Sequence, residues 1–203
     1  MVDHGAKSAL LIVDVQNDFC PGGMLAVAEG DRVVPVLNIY GELFSSEGLP
    51  VFASRDWHPT ETTHFKAYGG IWPVHCVRGS KGAEFHPLLK LPREAIVISK
   101  GMDPARDDYS AFDGVDDTGL PLPELLRRLG VGRIFMGGLA TDYCVKETAL
   151  AALRQGFAVT VLEDAVRGVD LQPGDSERAM AEMQAAGAET ANLSTVDPSG
   201  YRT

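Results

Sequence analysis

Cys144 lies in a segment whose pattern suits a nucleophilic cysteine. An apolar run at residues 133–136 is followed by Gly137-Gly138, and a helical pattern at residues 145–155 follows the cysteine. This order predicts a strand, a tight glycine turn and a helix that has Cys144 in its first turn. A helix N-terminus carries partial positive charge and unpaired N–H groups, which favour a thiolate and stabilise an oxyanion. The alternative is a cysteine that only fills space in the core.

Two charged residues end other apolar runs of strand length. Asp14 follows residues 9–13, and Lys100 follows residues 95–99. Ligands of open α/β sheets bind where the carboxyl ends of the strands meet, so we expect both side chains near Cys144. There the Asp14 carboxylate would be the general base for the thiol, and Lys100 would stabilise the thiolate. The alternatives are a turn residue at Asp14 and a surface lysine at Lys100.

A second group of residues has the donor atoms of a metal site. Its four members fall close together in the sequence: Asp56, His58, His64 and His75. In an extended segment, Asp56 and His58 point to the same side. Carboxylate oxygens and imidazole nitrogens suit Zn²⁺, Fe²⁺ or Mn²⁺, but without a thiolate pair the spacing alone leaves metal binding open. Of the other histidines, we expect His4 in a terminal tail and His86 in a structural role.

The apolar pattern predicts an α/β fold. Strand-like segments occur at residues 9–13, 50–54, 95–99, 133–136, 157–162 and 190–193, and helical patterns separate most of them. This alternation implies right-handed crossovers and a three-layer α/β/α arrangement around a central, mainly parallel, six-stranded Rossmann-like sheet.

The segments between these elements carry further expectations. The long aperiodic stretch at residues 56–92 and the acidic stretch at residues 101–120, which contains Tyr109, are expected to be loops near the site. The polar residues that precede the helices are expected as N-caps: Asp31, Thr141 or Asp142, and Asp175 or Ser176.

Composition excludes several classes of protein. The chain has 203 residues, of which 45% are hydrophobic, and a net charge of -10. One domain over residues 1–203 is expected, and the acidic balance argues against nucleic acid and anionic membranes as partners. No apolar run approaches the roughly 20 residues of a membrane span, and no signal peptide is recognised. Three cysteines, an odd number, indicate free thiols in a reducing compartment, so a cytoplasmic location is expected.

Short motifs across nearly the whole chain carry a resemblance to a known family. They are Asp14-Val15-Gln16-Asn17-Asp18-Phe19 with Pro21-Gly22-Gly23, Arg55-Asp56-Trp57-His58, Trp72-Pro73-Val74-His75-Cys76, Ser99-Lys100-Gly101 and Gly138-Leu139-Ala140-Thr141-Asp142-Tyr143-Cys144-Val145. The sequence resembles the nicotinamidase/pyrazinamidase branch of the isochorismatase-like cysteine hydrolases. The segment with Asp56, His58, His64 and His75 is what narrows the resemblance to nicotinamidases.

The resemblance implies a catalytic triad of Asp14, Lys100 and Cys144. Cys144 would attack a carboxamide, Asp14 would pass the proton to the leaving ammonia, and water would cleave the thioester. The backbone N–H groups of Ala140 and Cys144 would form the oxyanion hole. A cis peptide bond would join Leu139 to Ala140.

The resemblance also implies the residues that bind the metal and the substrate. Asp56, His58 and His75 would bind a divalent zinc, iron or manganese ion, with His64 as a further ligand. The ion would bind the pyridine nitrogen and waters, and so would orient the substrate. The substrate-binding residues would be Phe19, Trp72, Tyr109, Ala140 and Tyr143. Tyr143 stands where some relatives have histidine, a departure that affects hydrogen bonding at the site.

These implications favour hydrolysis of nicotinamide to nicotinate and ammonia in NAD salvage, with pyrazinamide also accepted. The rival readings are a related cysteine hydrolase for another small amide or ureido substrate, and a non-catalytic metal-binding or thiol-sensing protein. The sequence leaves open whether the protein is a monomer or a homo-oligomer.

Overall fold

Six parallel strands form one sheet in the computed structural model, which describes residues 6–198. The strands are β1 (Lys7–Val13), β2 (Val51–Asp56), β3 (Ile96–Lys100), β4 (Val131–Leu139), β5 (Ala158–Arg167) and β6 (Glu189–Ala191). Their order in the sheet is β3-β2-β1-β4-β5-β6. Every pair of neighbours is parallel. The predicted six-stranded α/β fold is confirmed.

Four helices cover the two faces of this sheet. They are α1 (Val33–Ser46), α2 (Leu122–Arg128), α3 (Lys146–Arg154) and α4 (Asp175–Ala185). Side chains of β1 alternate between the faces: Leu10 and Ile12 pack in the core with α1, and Leu11 and Val13 pack in the core with the other three helices. The buried sheet between two helical layers gives the expected three-layer arrangement.

The helical connections all have the same hand. The α1 connection leads from β1 towards the β3 edge, and the connections through α2, α3 and α4 run the other way on the opposite face. This is what a uniform right-handed crossover rule requires. Chain direction across the sheet reverses between β1 and β4, so the carboxyl ends of these two strands flank a crevice suited to a ligand.

Three expected helix caps are wrong. None of α1, α3 and α4 has a capping hydrogen bond from a side chain at its N-cap. Asp31 instead lies in the 3₁₀ turn Gly30–Arg32, which leads into α1. The Asp142 carboxylate accepts hydrogen bonds from the backbone N–H groups of Val169 and Asp170, and so ties the loop after β5 to the segment before α3.

The predicted glycine turn at Gly137-Gly138 is also wrong, because both residues belong to β4. Gly138 has a φ of +128°, and a Cβ atom there would overlap the Val13 carbonyl oxygen. A Cβ atom on Gly137 would lie 2.9 Å from the Ala165 carbonyl oxygen. The two glycines therefore permit a close approach of β4 to its neighbours, at a register irregularity with β5 between Met136 and Gly138.

Two further expectations concern the N-terminal tail and membrane-spanning segments. His4 lies outside the described residues. Among residues 6–198, no helix combines the length and the apolar character that crossing a membrane requires.

Gly138→Ala is expected to lower the free energy of unfolding by about 3 kcal/mol or more, because a positive φ and a backbone clash add. Gly119→Ala is the matched control, since Gly119 has a φ of +84° but open space around its Cβ position. The control should lose about 1–2 kcal/mol. Urea denaturation of both variants measures the difference, and equal losses would contradict the close-approach explanation.

Candidate active site

A carboxylate, an ammonium group and a thiol meet at the carboxyl edge of the sheet. Asp14 follows β1, Lys100 is the last residue of β3, and Cys144 follows β4. The Lys100 Nζ atom lies 2.9 Å from Asp14 Oδ2 and 3.5 Å from Cys144 Sγ. All three residues are buried. The structure thus brings together the three residues that the sequence placed at separate strand ends.

Asp14 is fixed by the neighbouring strand β2. The Ser54 hydroxyl donates a hydrogen bond of 2.7 Å to Asp14 Oδ1, and the Asp14 N–H donates to the Ser54 carbonyl oxygen at 3.2 Å. Burial raises the pKa of the Asp14 carboxyl, although the Lys100 charge and the Ser54 hydrogen bond oppose that rise. A raised pKa suits a group that takes up and releases protons.

The segment that carries Cys144 is not the regular helix turn that was expected. The peptide bond between Leu139 and Ala140 is cis, as the resemblance implied. A π-helical turn, Thr141–Val145, then precedes α3 and holds Cys144. Single π-helical turns of this kind are frequent at functional sites.

The surroundings of Cys144 favour the thiol over the thiolate. Burial raises the pKa of Cys144 well above its usual value; Lys100 opposes that rise, and Asp14 adds to it. For Lys100, burial lowers the pKa, but the Asp14 and Asp56 carboxylates outweigh burial and raise it, so the ammonium stays charged. The expected preference for a thiolate is therefore outweighed by burial, and the thiol needs a base beside it.

The three histidines of the predicted metal cluster converge next to this group. His58, His64 and His75 each offer one ring nitrogen, and these atoms lie within 4.8 Å of one another. The ring centroids of His58 and His64 are 4.6 Å apart, and those of His58 and His75 are 5.1 Å apart. Burial lowers the pKa of His64, and it lowers that of His75 to about 4. Both rings are therefore neutral at neutral pH, as metal ligands must be.

Hydrogen bonds at Nδ1 orient all three rings. The carbonyl oxygens of Gly101 and Pro73 lie 3.0 Å and 2.8 Å from Nδ1 of His58 and His75. The Asp107 carboxylate lies 2.5 Å from Nδ1 of His64. Because these oxygens can only accept, each Nδ1 carries a proton, and in a neutral ring Nε2 then presents a lone pair. His58 Nε2 is buried and has no hydrogen-bond partner among residues 6–198, so the donor set fits a metal ion.

Asp56 lies between the histidines and the triad. One of its carboxylate oxygens pairs with Lys100 Nζ, and the other lies 3.7 Å from His58 Nε2. Burial raises the pKa of Asp56, but the Lys100 charge and the neighbouring His58 and His75 rings together outweigh it, and the net shift is downward. The Asp56 carboxylate is therefore ionised and available to a metal ion.

A pocket of about 400 Å³ opens beside Cys144. The residues expected to contact the substrate all line it: Phe19, Trp72, Tyr109, Ala140 and Tyr143. The Trp72 Nε1–H donates a hydrogen bond of 2.8 Å to the Tyr109 hydroxyl. The Tyr143 ring packs edge-on against Trp72 with centroids 5.1 Å apart. These contacts build an aromatic wall next to the thiol.

Sequence reasoning assigned no role to several residues that shape the site. Four apolar side chains complete the pocket lining: Leu25, Val27, Leu139 and Val169. The Gln16 amide donates to the Asp56 carbonyl oxygen and accepts from the Asp56 N–H, both at 2.8 Å. Asp18 accepts a hydrogen bond of 2.7 Å from the Cys76 N–H, next to His75. Gln16 and Asp18 belong to the first sequence motif and Leu139 to the last, which were the available signals, whereas the other three apolar residues lie in loops and carry none.

The fold and this site define the class of α/β proteins with a cysteine-centred hydrolytic site. The sequence profile of the isochorismatase domain matches residues 8–195. The chain therefore belongs to the isochorismatase family.

Relatives with described activities support the same resemblance. The chain is 45% identical to the nicotinamidase of Escherichia coli, over 89% of this chain and 92% of the relative. It is 41% identical to the nicotinamidase/pyrazinamidase of Mycobacterium tuberculosis, over 89% and 96%. The crystal structure of the Pyrococcus horikoshii pyrazinamidase in complex with zinc superposes with a TM-score of 0.85 at 44% identity, covering 92% of this chain and 99% of that one.

Lys100→Met is expected to lower the free energy of unfolding at neutral pH by about 3–5 kcal/mol, because it leaves the buried Asp14 and Asp56 carboxylates without their cation. Lys90→Met is the matched control, since Lys90 is exposed and forms no ion pair among the described residues. The expected loss for the control is below about 0.5 kcal/mol. Urea denaturation compares the two, and a Lys100→Met protein as stable as the control would show that the ammonium is not needed for stability.

Proposed function

We propose that this protein hydrolyses nicotinamide to nicotinate and ammonia through a thioester on Cys144. The observation that carries the proposal is the buried contact of Lys100 with Asp14 and Cys144, which opens into a pocket shared with His64 and His75. The similarity to nicotinamidases of two bacteria supports the choice of substrate.

In the first half of the reaction, Asp14 accepts the Cys144 thiol proton as Sγ attacks the carboxamide carbon. The carbon–oxygen double bond opens, and the backbone N–H groups of Ala140 and Cys144 stabilise the oxyanion. Collapse of this intermediate breaks the carbon–nitrogen bond, and Asp14 returns the proton to the leaving nitrogen. Ammonia departs, and the nicotinoyl group remains on sulfur as a thioester.

In the second half, Asp14 accepts a proton from a water molecule that attacks the thioester carbon. The carbon–sulfur bond breaks, nicotinate is released, and Cys144 regains a proton. The Lys100 ammonium remains charged throughout and stabilises the negative charge that passes between the Asp14 carboxylate and the thiolate. Its contacts with both groups support this role.

The proposed metal ligands are Asp56, His58, His64 and His75. When bound, a divalent zinc, iron or manganese ion supplies a Lewis-acid position for the pyridine nitrogen, which orients the ring. The zinc of the Pyrococcus horikoshii relative supports this assignment. Phe19, Trp72, Tyr109 and Tyr143 hold the flat ring and exclude water from it. Pyrazinamide has nearly the same shape, so the same pocket accepts it.

A second candidate is hydrolysis of another small amide or ureido compound by the same triad. The orphaned His58 Nε2 and the converging histidines disfavour it, because a substrate without a ring nitrogen gives this cluster no role. A non-catalytic thiol sensor is disfavoured too. Such a protein needs an exposed, readily ionised cysteine, whereas Cys144 is buried and its pKa is raised.

The cellular setting follows from this chemistry as part of the proposal. The reaction feeds NAD salvage and requires a reduced Cys144, which favours the cytoplasm; the three cysteines are free thiols in the structure. We also propose that residues 1–203 form one domain with this activity, in a monomer or in each subunit of a homo-oligomer.

Cys144→Ala is expected to abolish ammonia release from nicotinamide, with a loss of at least about 10⁴-fold, because it removes the nucleophile. Cys20→Ala is the matched control: Cys20 belongs to the core on the α1 side of the sheet and Cys144 to the core on the other side, and burial raises the pKa of the Cys20 thiol to about 11. The control should retain activity. The test measures the rate of ammonia release from nicotinamide by wild type and by both variants. Equal rates for wild type and Cys144→Ala would reject the mechanism, and no release by wild type would favour the other small amides.

Removal of the metal is expected to abolish turnover of nicotinamide, and zinc, iron(II) or manganese(II) is expected to restore it. Turnover is measured on chelator-treated protein with a verified metal content, before and after each ion is added. Cys144 should react with a cysteine alkylator in the metal-free protein, because the triad does not contain the ion. Full activity at a verified absence of metal would reject the metal role.

A further inference from the structure

Within residues 6–198, Asp107 is the one side chain among the Nδ1 hydrogen-bond partners of the three histidines. His58 and His75 are oriented by backbone carbonyl oxygens, of Gly101 and Pro73, whereas the Nδ1 atom of His64 lies 2.5 Å from the Asp107 carboxylate. A carboxylate adds charge to a hydrogen bond, and such partners fix the tautomer of a ligating imidazole and raise the basicity of its other nitrogen.

His64 and its Nδ1 partner belong to different loops. His64 lies in the connection between β2 and β3, just before the 3₁₀ turn Lys66–Tyr68. Asp107 reaches it from a different segment, the connection between β3 and α2. The ring of His64 therefore depends on a contact between two loops.

The two loops are held together independently of Asp107. The Thr63 N–H and the hydroxyl groups of Thr62 and Thr63 donate to the Pro104 carbonyl oxygen. A second connection is the hydrogen bond from Trp72 Nε1 to the Tyr109 hydroxyl. Asp107 is also 53% exposed, so its removal leaves no cavity in the core. Its contact with His64 is therefore not required to hold the loops in place.

We propose that Asp107 is a positioning residue of the metal site, which holds His64 in the Nδ1–H tautomer with Nε2 directed at the ligands His58 and His75. The inference rests on the proposed metal site and extends it. Asp107 itself does not contact the metal or the substrate. It raises the affinity of the site for the ion, because the His64 imidazole already has the required tautomer and orientation before the ion binds.

The first test is zinc affinity, measured on metal-free protein by competition with a chromophoric chelator. Asp107→Ala is expected to weaken zinc binding by about 10- to 100-fold, the range found for the loss of such partners. Asp107→Asn should lose less, because its amide oxygen still accepts the Nδ1–H. Asp103→Asn is the matched control: it removes the same charge from the same loop, and its amide oxygen can replace the carboxylate that accepts from the Ala105 N–H. The control should bind zinc within twofold of wild type.

The second test reads the tautomer directly. Long-range proton–nitrogen NMR spectra of the metal-free protein should show His64 as the Nδ1–H form in wild type and in Asp107→Asn. In Asp107→Ala that preference should be lost, while the thermal unfolding midpoint of the metal-free protein stays within about 2 °C of wild type. A purely structural role would lower the midpoint and leave the tautomer unchanged.

The outcomes separate this inference from the proposed function. Zinc affinity of Asp107→Ala within twofold of wild type, or an equal loss in Asp103→Asn, would overturn the positioning role and leave the metal site intact. Retention of the Nδ1–H tautomer in Asp107→Ala would overturn it as well. Absence of zinc binding by wild type would overturn the metal site itself.

Discussion

The buried ammonium group of Lys100 is the interaction on which the site depends. It contacts Asp14, Asp56 and Cys144 in a region from which water is excluded. An isolated charge there would be costly, and two carboxylates around one ammonium leave an excess of one negative charge. Burial is the main reason that the pKa of both Asp14 and Cys144 rises, and the neighbouring carboxylates add to the rise. A cation held by the histidines would offset the same charge from the opposite side of Asp56.

Strand register explains why the carboxylates of the site lie beside the Lys100 ammonium. Asp56 and Lys100 are directly paired residues at the ends of β2 and β3, and β2 pairs with β1 so that Ser54 reaches Asp14. The Asp56 carboxylate uses one oxygen for Lys100 and turns the other towards His58. The two halves of the site are therefore one electrostatic unit built on adjacent strands. A shift of one residue in β3 would turn Lys100 to the other face of the sheet and break both halves.

The sequence was informative wherever chemistry is tied to a strand end. Asp14, Lys100 and Cys144 each follow an apolar run, and the rule that parallel strands end at one edge is enough to bring them together. It was uninformative where backbone geometry depends on distant neighbours. The Gly137-Gly138 pair predicts a turn, but both residues lie in β4. Glycine is needed there because Val13 and Ala165 come too close for a side chain. The position of Asp142 predicts a helix cap, but its carboxylate accepts hydrogen bonds from the loop after β5. No local sequence pattern predicts that partner.

The groups that react and the groups that select the substrate also lie in different parts of the fold: the first at strand ends, the second on loops. Asp14 and Lys100 stand at the ends of β1 and β3, and Cys144 follows β4, so the sheet sets where the triad residues meet. The three histidines and Trp72 and Tyr109 of the aromatic wall stand on loops, which hydrogen bonds such as that between Trp72 and Tyr109 hold in place. Changes in these loops alter which molecule is held without disturbing the thiol, its base or the ammonium. One catalytic arrangement on this sheet can therefore serve different small amides, and under the proposed function the histidine cluster on its loops directs this chain towards an aromatic ring nitrogen.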